Sequence, residues 1–253
     1  MVRVITWERE VPQLARRFQL RYGGMMGMSA RVVLRKHLCS CAIYLVCSIP
    51  LFAASREVII DNAKVRVLHV VLKPGEMAEI DHQKLDRAVV WLQSGSAETL
   101  MPNGKSASIS WKQNEVQWET ADSSYSMQLK GTVPVAAIVV EIKGKGDAQR
   151  APTSAQNPWI VDPKHYRVEF ENHDVRITRV KIGPKESTPL HEHSLDRVVV
   201  YLTPLDFQIE PEGKSSEHST QKAGAVVWGA PARHTEHNLS DKGFEAVVVE
   251  PKY

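Results

Sequence analysis

The chain has 253 residues, of which 43% are hydrophobic and 24% are charged, with a formal net charge of +3. This composition is typical of a folded globular protein and excludes an extensively disordered chain. Residues 1–54 carry eight of the Lys and Arg residues and only two acidic ones, so the rest of the chain is weakly acidic. Since that remainder has no basic cluster, nucleic acid is not expected as a partner.

The first predicted element is a signal peptide over residues 28–55. Three basic residues precede an apolar stretch, residues 38–52, and the small residues 53–55 follow it. A basic start, an apolar centre and a small-residue cleavage site are the three parts of a secretory signal. The alternative is a membrane anchor, but about 15 apolar residues broken by Pro50 are short for a bilayer of ~30 Å. We therefore expect an exported protein, periplasmic or secreted, with no stable membrane span after processing.

Residues 1–27 lie upstream of this signal, where a signal peptide does not normally carry an extension. Several methionines between positions 25 and 28 are candidate starts, so we interpret residues 1–27 as an extension that is not part of the natural protein. All three cysteines lie within the apolar stretch. The processed protein is therefore expected to have no disulfide and no thiolate metal ligand.

From residue 56 onward, short runs of β-branched and aromatic residues alternate with turn residues, which predicts strand after strand. Residues 144–163 interrupt the strands, and their richness in Gly, Ala, Pro and Ser predicts a linker. The sequence thus predicts an all-β protein with an N-terminal domain at residues 56–143 and a C-terminal domain at residues 164–253.

The two predicted domains are copies of one another. Leu85-Asp86-Arg87 recurs as Leu195-Asp196-Arg197, a shift of 110 positions, and Trp118 recurs as Trp228 with the same shift. The turn PNGKS in the first half matches PEGKS in the second. This is an internal duplication of a β domain of roughly 90 residues.

The second copy resembles the cupins, a superfamily of small double-stranded β-helix or jelly-roll barrels. The first cupin motif has a Gly, a His-x-His and then a Glu, and the second has a Gly, a Pro-x-Gly, a His and then an Asn. The residues at these motif positions are Gly183, His191, His193, Arg197, Gly224, His234 and Asn238, with Ala at both the Pro and the second Gly. The resemblance covers both copies and implies a bicupin, two tandem cupin domains after the N-terminal signal segment.

In cupins the motif histidines and the glutamate coordinate a divalent metal inside the barrel. The resemblance therefore makes His191, His193 and His234 the candidate metal ligands, and imidazole suits Fe, Mn, Ni, Cu or Zn. Arg197 stands at the glutamate position, where it cannot ligate a cation and its charge is unfavourable. The adjacent Asp196 could replace the glutamate only at an irregular strand entrance, because neighbouring strand residues face opposite sides. A three-histidine centre, a weakened metal site and the absence of a metal all stay open.

The first copy lacks the histidines. With the shift of 110, the positions of the three histidines and of Asn238 hold Asp81, Gln83, Ser124 and Gln128. Both copies nevertheless keep the Asp-Arg pair. We therefore predict that Asp86 and Arg87 form a structural clasp, a salt bridge at the strand entrance, with anion binding by Arg87 and Arg197 as the alternative.

The leading functional hypothesis is a metal-binding bicupin that acts on a small organic molecule as a dioxygenase, decarboxylase or isomerase, with an oxidoreductase favoured if it is an enzyme. Arg197, Asp196, Asn238 and His237 are assigned to the pocket or to the residues that surround it, with the surface as the alternative for His237. The degenerate N-terminal barrel would support packing or homodimer formation. The competing hypotheses are a non-catalytic barrel that binds a small ligand or anion without metal, which Arg197 favours, and a purely structural protein.

Overall fold

The computed structural model of the protein describes residues 2–5, 54–80, 85–121, 124–146 and 154–253. The strands of the first half are β1 (Arg3–Ile5), β2 (Ser55–Asp61), β3 (Val65–Leu72), β4 (Met77–Ile80), β5 (Asp86–Trp91), β6 (Gly95–Leu100), β7 (Ser106–Trp111), β8 (Val116–Glu119), β9 (Tyr125–Lys130) and β10 (Val135–Ile142). The second half contains helix α1 (Pro158–Val161) and strands β11 (Tyr166–Glu171), β12 (Val175–Ile182), β13 (His191–His193), β14 (Arg197–Tyr201), β15 (Leu205–Pro211), β16 (Glu217–Gln221), β17 (Val226–Gly229), β18 (Ala232–Asn238) and β19 (Phe244–Pro251). These ranges contain no helix with the length and hydrophobicity of a transmembrane span.

Each half folds into a barrel made of one large and one small sheet, which confirms the all-β prediction. The N-terminal barrel combines a six-stranded sheet, β1-β8-β5-β10-β3-β2, with a four-stranded sheet, β4-β9-β6-β7. The C-terminal barrel combines a five-stranded sheet, β11-β12-β19-β14-β17, with a four-stranded sheet, β13-β18-β15-β16. Apart from the parallel pairing of β1 with β8, the paired strands of the two barrels are antiparallel in the described residues.

The duplication extends to backbone details. The side-chain oxygens of Asn62 and Asn172 each accept the backbone N–H three residues on, at 2.9 Å in both barrels, and so form the same turn before β3 and β12. The register shifts at corresponding places in the β2–β3 and β11–β12 pairings. Gly104 and Gly213 adopt φ of 81° and 71° in the matching PNGKS and PEGKS turns, where a residue with a side chain would be strained.

The large sheets of the two barrels face each other, so their strands are buried on both sides. In β14, Val198 and Val200 are fully buried in an apolar core shared by the two barrels, whereas Val199 and Tyr201 pack in the core of their own barrel. Burying such side chains contributes about 1.5–3 kcal/mol each. A strand that is buried on both faces needs apolar residues at consecutive positions, which explains the run of valines in both copies.

Polar contacts also join the two barrels, and they correct the prediction of an Asp-Arg clasp. Asp196 forms a salt bridge with Lys64 of the first barrel at 3.0 Å. Lys145 lies 3.0 Å from Asp86 of the first barrel and 3.5 Å from Asp174 of the second. The aspartates of the two repeated pairs therefore have partners at the junction between the barrels.

The arginine of each pair points the other way, into its own barrel. Arg87 lies inside the N-terminal barrel, where its guanidinium contacts Glu119 at 2.6 Å. Asp86 and Arg87 thus both form ion pairs, but with different partners, because successive residues of an extended chain face opposite sides.

The predicted signal peptide and upstream extension lie almost wholly outside the described residues. At their margins, β1 pairs with β8, and β2 begins at Ser55. The predicted linker includes residues 147–153, which are also outside the described ranges, and the short helix α1.

Candidate metal centre

Three histidines converge inside the C-terminal barrel. His191 and His193 occupy alternate positions of β13 and face the interior, whereas Glu192 between them accepts a hydrogen bond from Ser154 at 2.8 Å. His234 of β18 is the direct strand partner of His191, so both side chains lie on the same face. The three histidines are 0%, 6% and 7% exposed in chain order.

The imidazole rings form a compact triangle. The ring centroids are 5.1 Å apart for His191 and His193, 4.7 Å for His191 and His234, and 5.4 Å for His193 and His234. One nitrogen from each ring lies within 4.8 Å of the other two. The positions that the cupin resemblance assigned to metal ligands are therefore brought together in space.

The nitrogen atoms of these rings fit a metal. His193 Nδ1 and His234 Nε2 are buried and have no hydrogen-bond partner among the described residues. A buried polar atom left without a partner costs about 1–3 kcal/mol, which a coordinated cation would remove. His191 Nδ1 lies 2.9 Å from the carbonyl of Pro189, which can only accept, so Nδ1 carries the proton and Nε2 is the nitrogen that can bind a metal.

The protonation of the cluster also suits metal binding. Burial lowers the pKa of His234 to about 4, and His191 and Arg197 add to this effect against the opposing charge of Glu236. Burial, with the positive charge of Arg197 next in importance, holds the pKa of His193 well below its ordinary value. Both rings are therefore neutral near pH 7, the form in which imidazole ligates a metal.

Tyr166 and Glu236 lie beside the histidines, and neither residue was predicted from the sequence. Tyr166 of β11 donates its hydroxyl hydrogen bond to Glu236 at 2.6 Å, and the same hydroxyl lies 3.3 Å from His191 Nε2. Glu236 Oε1 is 3.7 Å from His234 Nε2. The alternation of β18 could have identified Glu236, which is two residues after His234, but no motif points to Tyr166.

Glu250 is a further carboxyl group of this barrel, and unlike Glu236 it is almost fully buried. Its Oε1 lies 3.8 Å from His193 Nδ1, and its Oε2 lies 3.9 Å from Arg176. Burial raises the pKa of Glu250 to about 7, against the effect of Arg176 and Arg197. Glu250 was also missed, since it closes a strand whose other residues read as core.

Arg197, at the usual glutamate position, points into the C-terminal barrel. Its Nη1 donates to the carbonyl of Ala230 at 2.6 Å, and its guanidinium lies against Gly229, where a Cβ would come within 3.1 Å of the guanidinium carbon. Gly229 is the strand partner of Arg197, whereas the partner of Arg87 in the first barrel is Glu119. On β17 the partner of Arg197 is thus a glycine, whereas on its other side the register of β14 with β19 places Glu250 next to it, and the charges of Glu250 and Glu236 act on this guanidinium.

Asp196, Asn238 and His237 lie away from the three histidines. Asp196 binds Lys64 at the junction of the barrels and is not a substitute for the missing glutamate. Asn238 is buried and donates to the carbonyls of Gly183 and Lys242 at 2.9 Å each, so it holds loops together. His237 lies on the outer side of β18 and contacts a serine hydroxyl, which agrees with the surface alternative.

Strand pairing together with burial corrects the predicted equivalence between the two barrels. His191 pairs with His234, and Ile80 pairs with Tyr125 in the corresponding strands of the first barrel. Ile80 and Tyr125 are buried like the two histidines, whereas Ser124 is exposed and Asp81 lies outside the described residues. The buried pair Ile80 and Tyr125 therefore corresponds to His191 and His234. The first barrel has an apolar residue and an aromatic residue at these positions.

The interior of the first barrel is also nearly filled. Its cavity measures about 40 Å³ and is lined mainly by apolar side chains, together with ionic residues such as Arg87 and Glu119. Ligand pockets normally measure about 300–1,000 Å³, so this cavity has room for little more than water.

The comparisons with known proteins find similarity through structure. No protein-family model matches the sequence, and no curated protein matches it. A cupin 2 conserved barrel domain protein from Leptotrichia buccalis superposes with a TM-score of 0.51 at 15% identity, covering 79% of this chain and 89% of that one.

Two further similar structures are of oxalate decarboxylase from Bacillus subtilis. One, a tryptophan-to-tyrosine variant, has a TM-score of 0.55 at 12% identity and covers 78% of this chain and 72% of that one. The other, described for its Mn(II) centres, has a TM-score of 0.51 at 13% identity and covers 74% of this chain and 68% of that one. At these identities the likeness concerns the fold.

Proposed function

Because this chain has the bicupin fold, two tandem barrels of the cupin superfamily, we propose that its C-terminal barrel binds a divalent transition metal and, beside it, a small organic anion. His191, His193 and His234 would hold the metal. The observation that carries the proposal is the buried histidine cluster, in which two imidazole nitrogens have no described hydrogen-bond partner. The Mn(II) centres of the similar Bacillus subtilis structure support manganese as the first ion to test, ahead of Fe, Ni, Cu and Zn.

The residues around the three histidines suit the binding of an anionic molecule. Arg197 carries a fixed positive charge inside the barrel, and its partner on β17 is a glycine where the first barrel has a glutamate. Tyr166 is neutral, because burial raises the pKa of its hydroxyl well above the ordinary value, and it presents this hydroxyl next to His191. A divalent metal supplies Lewis-acid chemistry at such a site, and dioxygenase, decarboxylase and isomerase activities on small acids are the reactions to assay.

Metal analysis of the purified protein tests this proposal. Wild-type protein exposed to Mn(II) and then desalted is expected to retain about one ion per chain. His191→Ala and His234→Ala should lose it, whereas His237→Ala, on the outer face of the same strand as His234, should keep it. Wild-type protein without retained metal, or His234→Ala protein that retains it fully, would contradict the proposal.

The second candidate function is binding of a small anion without metal, and the orientation of Arg197 favours it. A thermal-shift screen of mono- and dicarboxylates in the presence of EDTA separates the two candidates. Stabilisation that persists in EDTA and disappears in Arg197→Met supports the second candidate. Stabilisation that requires added metal supports the first.

We also propose that the protein is exported, on the basis of the signal pattern in residues 28–55. Amino-terminal sequencing of the protein recovered from cell fractions tests this. The expected mature terminus follows residue 54 or 55, in the periplasm or the medium, and a cytoplasmic protein that retains residues 28–55 would refute it.

A further inference from the structure

Glu236 is the acidic residue that projects from the same strand and face as His234. Residues 234, 236 and 238 alternate along β18, so all three side chains point into the barrel. The backbone at Glu236 is fixed on both sides by Thr188, whose N–H donates to the Glu236 carbonyl at 2.9 Å and whose hydroxyl accepts from the Glu236 N–H at 3.0 Å. The position of this carboxylate therefore follows from regular strand geometry.

The oxygens around Glu236 lie next to the nitrogens that face the metal position. Glu236 Oε1 is 3.7 Å from His234 Nε2, and the Tyr166 hydroxyl, bonded to Glu236 Oε2, is 3.3 Å from His191 Nε2. Adjacent ligands of one ion with bonds of ~2.1 Å are separated by about 3–3.4 Å. The distance from Glu236 Oε1 to His234 Nε2 exceeds this spacing by only about half an ångström. The carboxylate lies outside the group of nitrogens that are mutually within 4.8 Å, so it would move toward the three histidines when a metal binds.

The first barrel shows that the fold does not require a carboxylate here. Ile209 pairs with Glu236, and Thr99 of the corresponding strand pairs with Met127, so Met127 holds the equivalent position. Met127 is buried in the apolar core of its barrel. A carboxylate at this position therefore occurs only in the barrel that also has the histidines.

Charge balance favours the same assignment. A divalent ion and the guanidinium of Arg197 would together place three positive charges in the barrel, and an acidic ligand reduces their mutual repulsion. Glu250 is the competing carboxylate, since its Oε1 lies 3.8 Å from His193 Nδ1, but its Oε2 lies 3.9 Å from Arg176. The hydrogen-bonded pair of Glu236 and Tyr166 instead lies beside two of the three histidines.

We propose that Glu236 is the fourth protein ligand of the metal, with Tyr166 holding its second oxygen. The centre would then contain three histidines and one glutamate, with the carboxylate supplied by β18 instead of by the motif position that Arg197 occupies. This inference rests on the proposed function, since it adds one ligand to the same site.

Mn(II) affinity, measured by isothermal titration calorimetry, tests the assignment with two matched variants. Glu236→Gln is expected to weaken Mn(II) binding by at least about 100-fold, since it removes a charged ligand, whereas Glu250→Gln should weaken it by about tenfold or less. The visible absorption of the Co(II)-loaded protein, which reports the ligand set, should change in Glu236→Gln even at saturating metal. The melting temperature of metal-free Glu236→Gln should match that of the wild type, because the amide oxygen can still accept from Tyr166.

The outcomes separate this inference from the proposed function. If wild-type protein binds neither Mn(II) nor Co(II), both fail. If wild-type protein binds metal and Glu236→Gln binds it equally well with an unchanged Co(II) spectrum, only the assignment of Glu236 fails. A larger loss in Glu250→Gln than in Glu236→Gln would overturn the assignment in favour of Glu250.

Discussion

Acid should destabilise the metal-free protein through its buried histidines, and the effect can be calculated for His234. Burial lowers the pKa of this imidazole to about 4, from an ordinary value of 6.5. As the pH falls below 6.5, the unfolded chain takes up a proton that the folded chain does not accept until about pH 4. The contribution to stability is therefore complete above pH 6.5 and is lost progressively toward pH 4.

Linkage gives the size of this loss. A separation of about 2.5 pKa units corresponds to about 3.4 kcal/mol when the pH lies below both values, at about 1.4 kcal/mol per unit. At pH 5 the loss is about 2 kcal/mol, because most unfolded chains are then protonated and most folded ones are not. The pKa of His193 is lowered in the same direction, so its protonation adds to the effect.

Urea unfolding followed by tryptophan fluorescence, in EDTA at pH 7 and pH 5, measures this contribution. Between the two pH values, the wild-type protein should lose about 2 kcal/mol more of its unfolding free energy than His234→Gln, since glutamine is polar like histidine but does not titrate. His237→Gln, on the outer face of the same strand, should behave as the wild type. Equal acid sensitivity in wild type and His234→Gln would refute the conclusion that His234 is buried in its neutral form.

Other substitutions probe the scaffold. Asn238→Ala should lower the free energy of unfolding by about 1–3 kcal/mol in urea titrations, because it removes the amide that bonds backbone carbonyls, and an unchanged midpoint would contradict this. Arg87→Met should destabilise the protein by about 3–5 kcal/mol, because the Glu119 carboxylate then stays buried without this guanidinium. In a double-mutant cycle, adding Glu119→Gln should recover most of the lost stability. Asp196→Asn should change the unfolding free energy by at most about 1 kcal/mol, since its salt bridge to Lys64 is partly exposed. A greater loss would contradict the expectation that this salt bridge contributes little to stability.

The sequence predicted the barrels, the duplication and the histidine cluster because each leaves a periodic or spaced signal. Strands alternate, copies align, and a His-x-His pair with a later histidine is a distinctive spacing. Tyr166, Glu236 and Glu250 were missed because their proximity to the cluster depends on how separate strands close into a barrel. A single tyrosine or glutamate within a strand carries no such signal.

The equivalence between the two barrels failed for a related reason. A constant shift of 110 counts residues, whereas hydrogen bonding sets the register of strands. A difference of one residue in a loop turns every side chain of the next strand to the other face. The shift thus matched His191 to Asp81 and His234 to Ser124, whereas strand pairing and burial together match these two histidines to Ile80 and Tyr125.

When the strands are compared in the correct register, the differences between the two barrels lie close together in space. Ile80, Tyr125 and Met127 fill the first barrel, where the second has His191, His234 and Glu236. Glu119, which neutralises the buried arginine of the first barrel, corresponds to a glycine in the second. Random drift of a structural copy would not be expected to place three imidazoles and an arginine around one point, because polar groups cost stability when they are buried, and two of the imidazole nitrogens have no described hydrogen-bond partner. Their concentration in one barrel is the pattern expected if a bound cation and anion supply the missing partners.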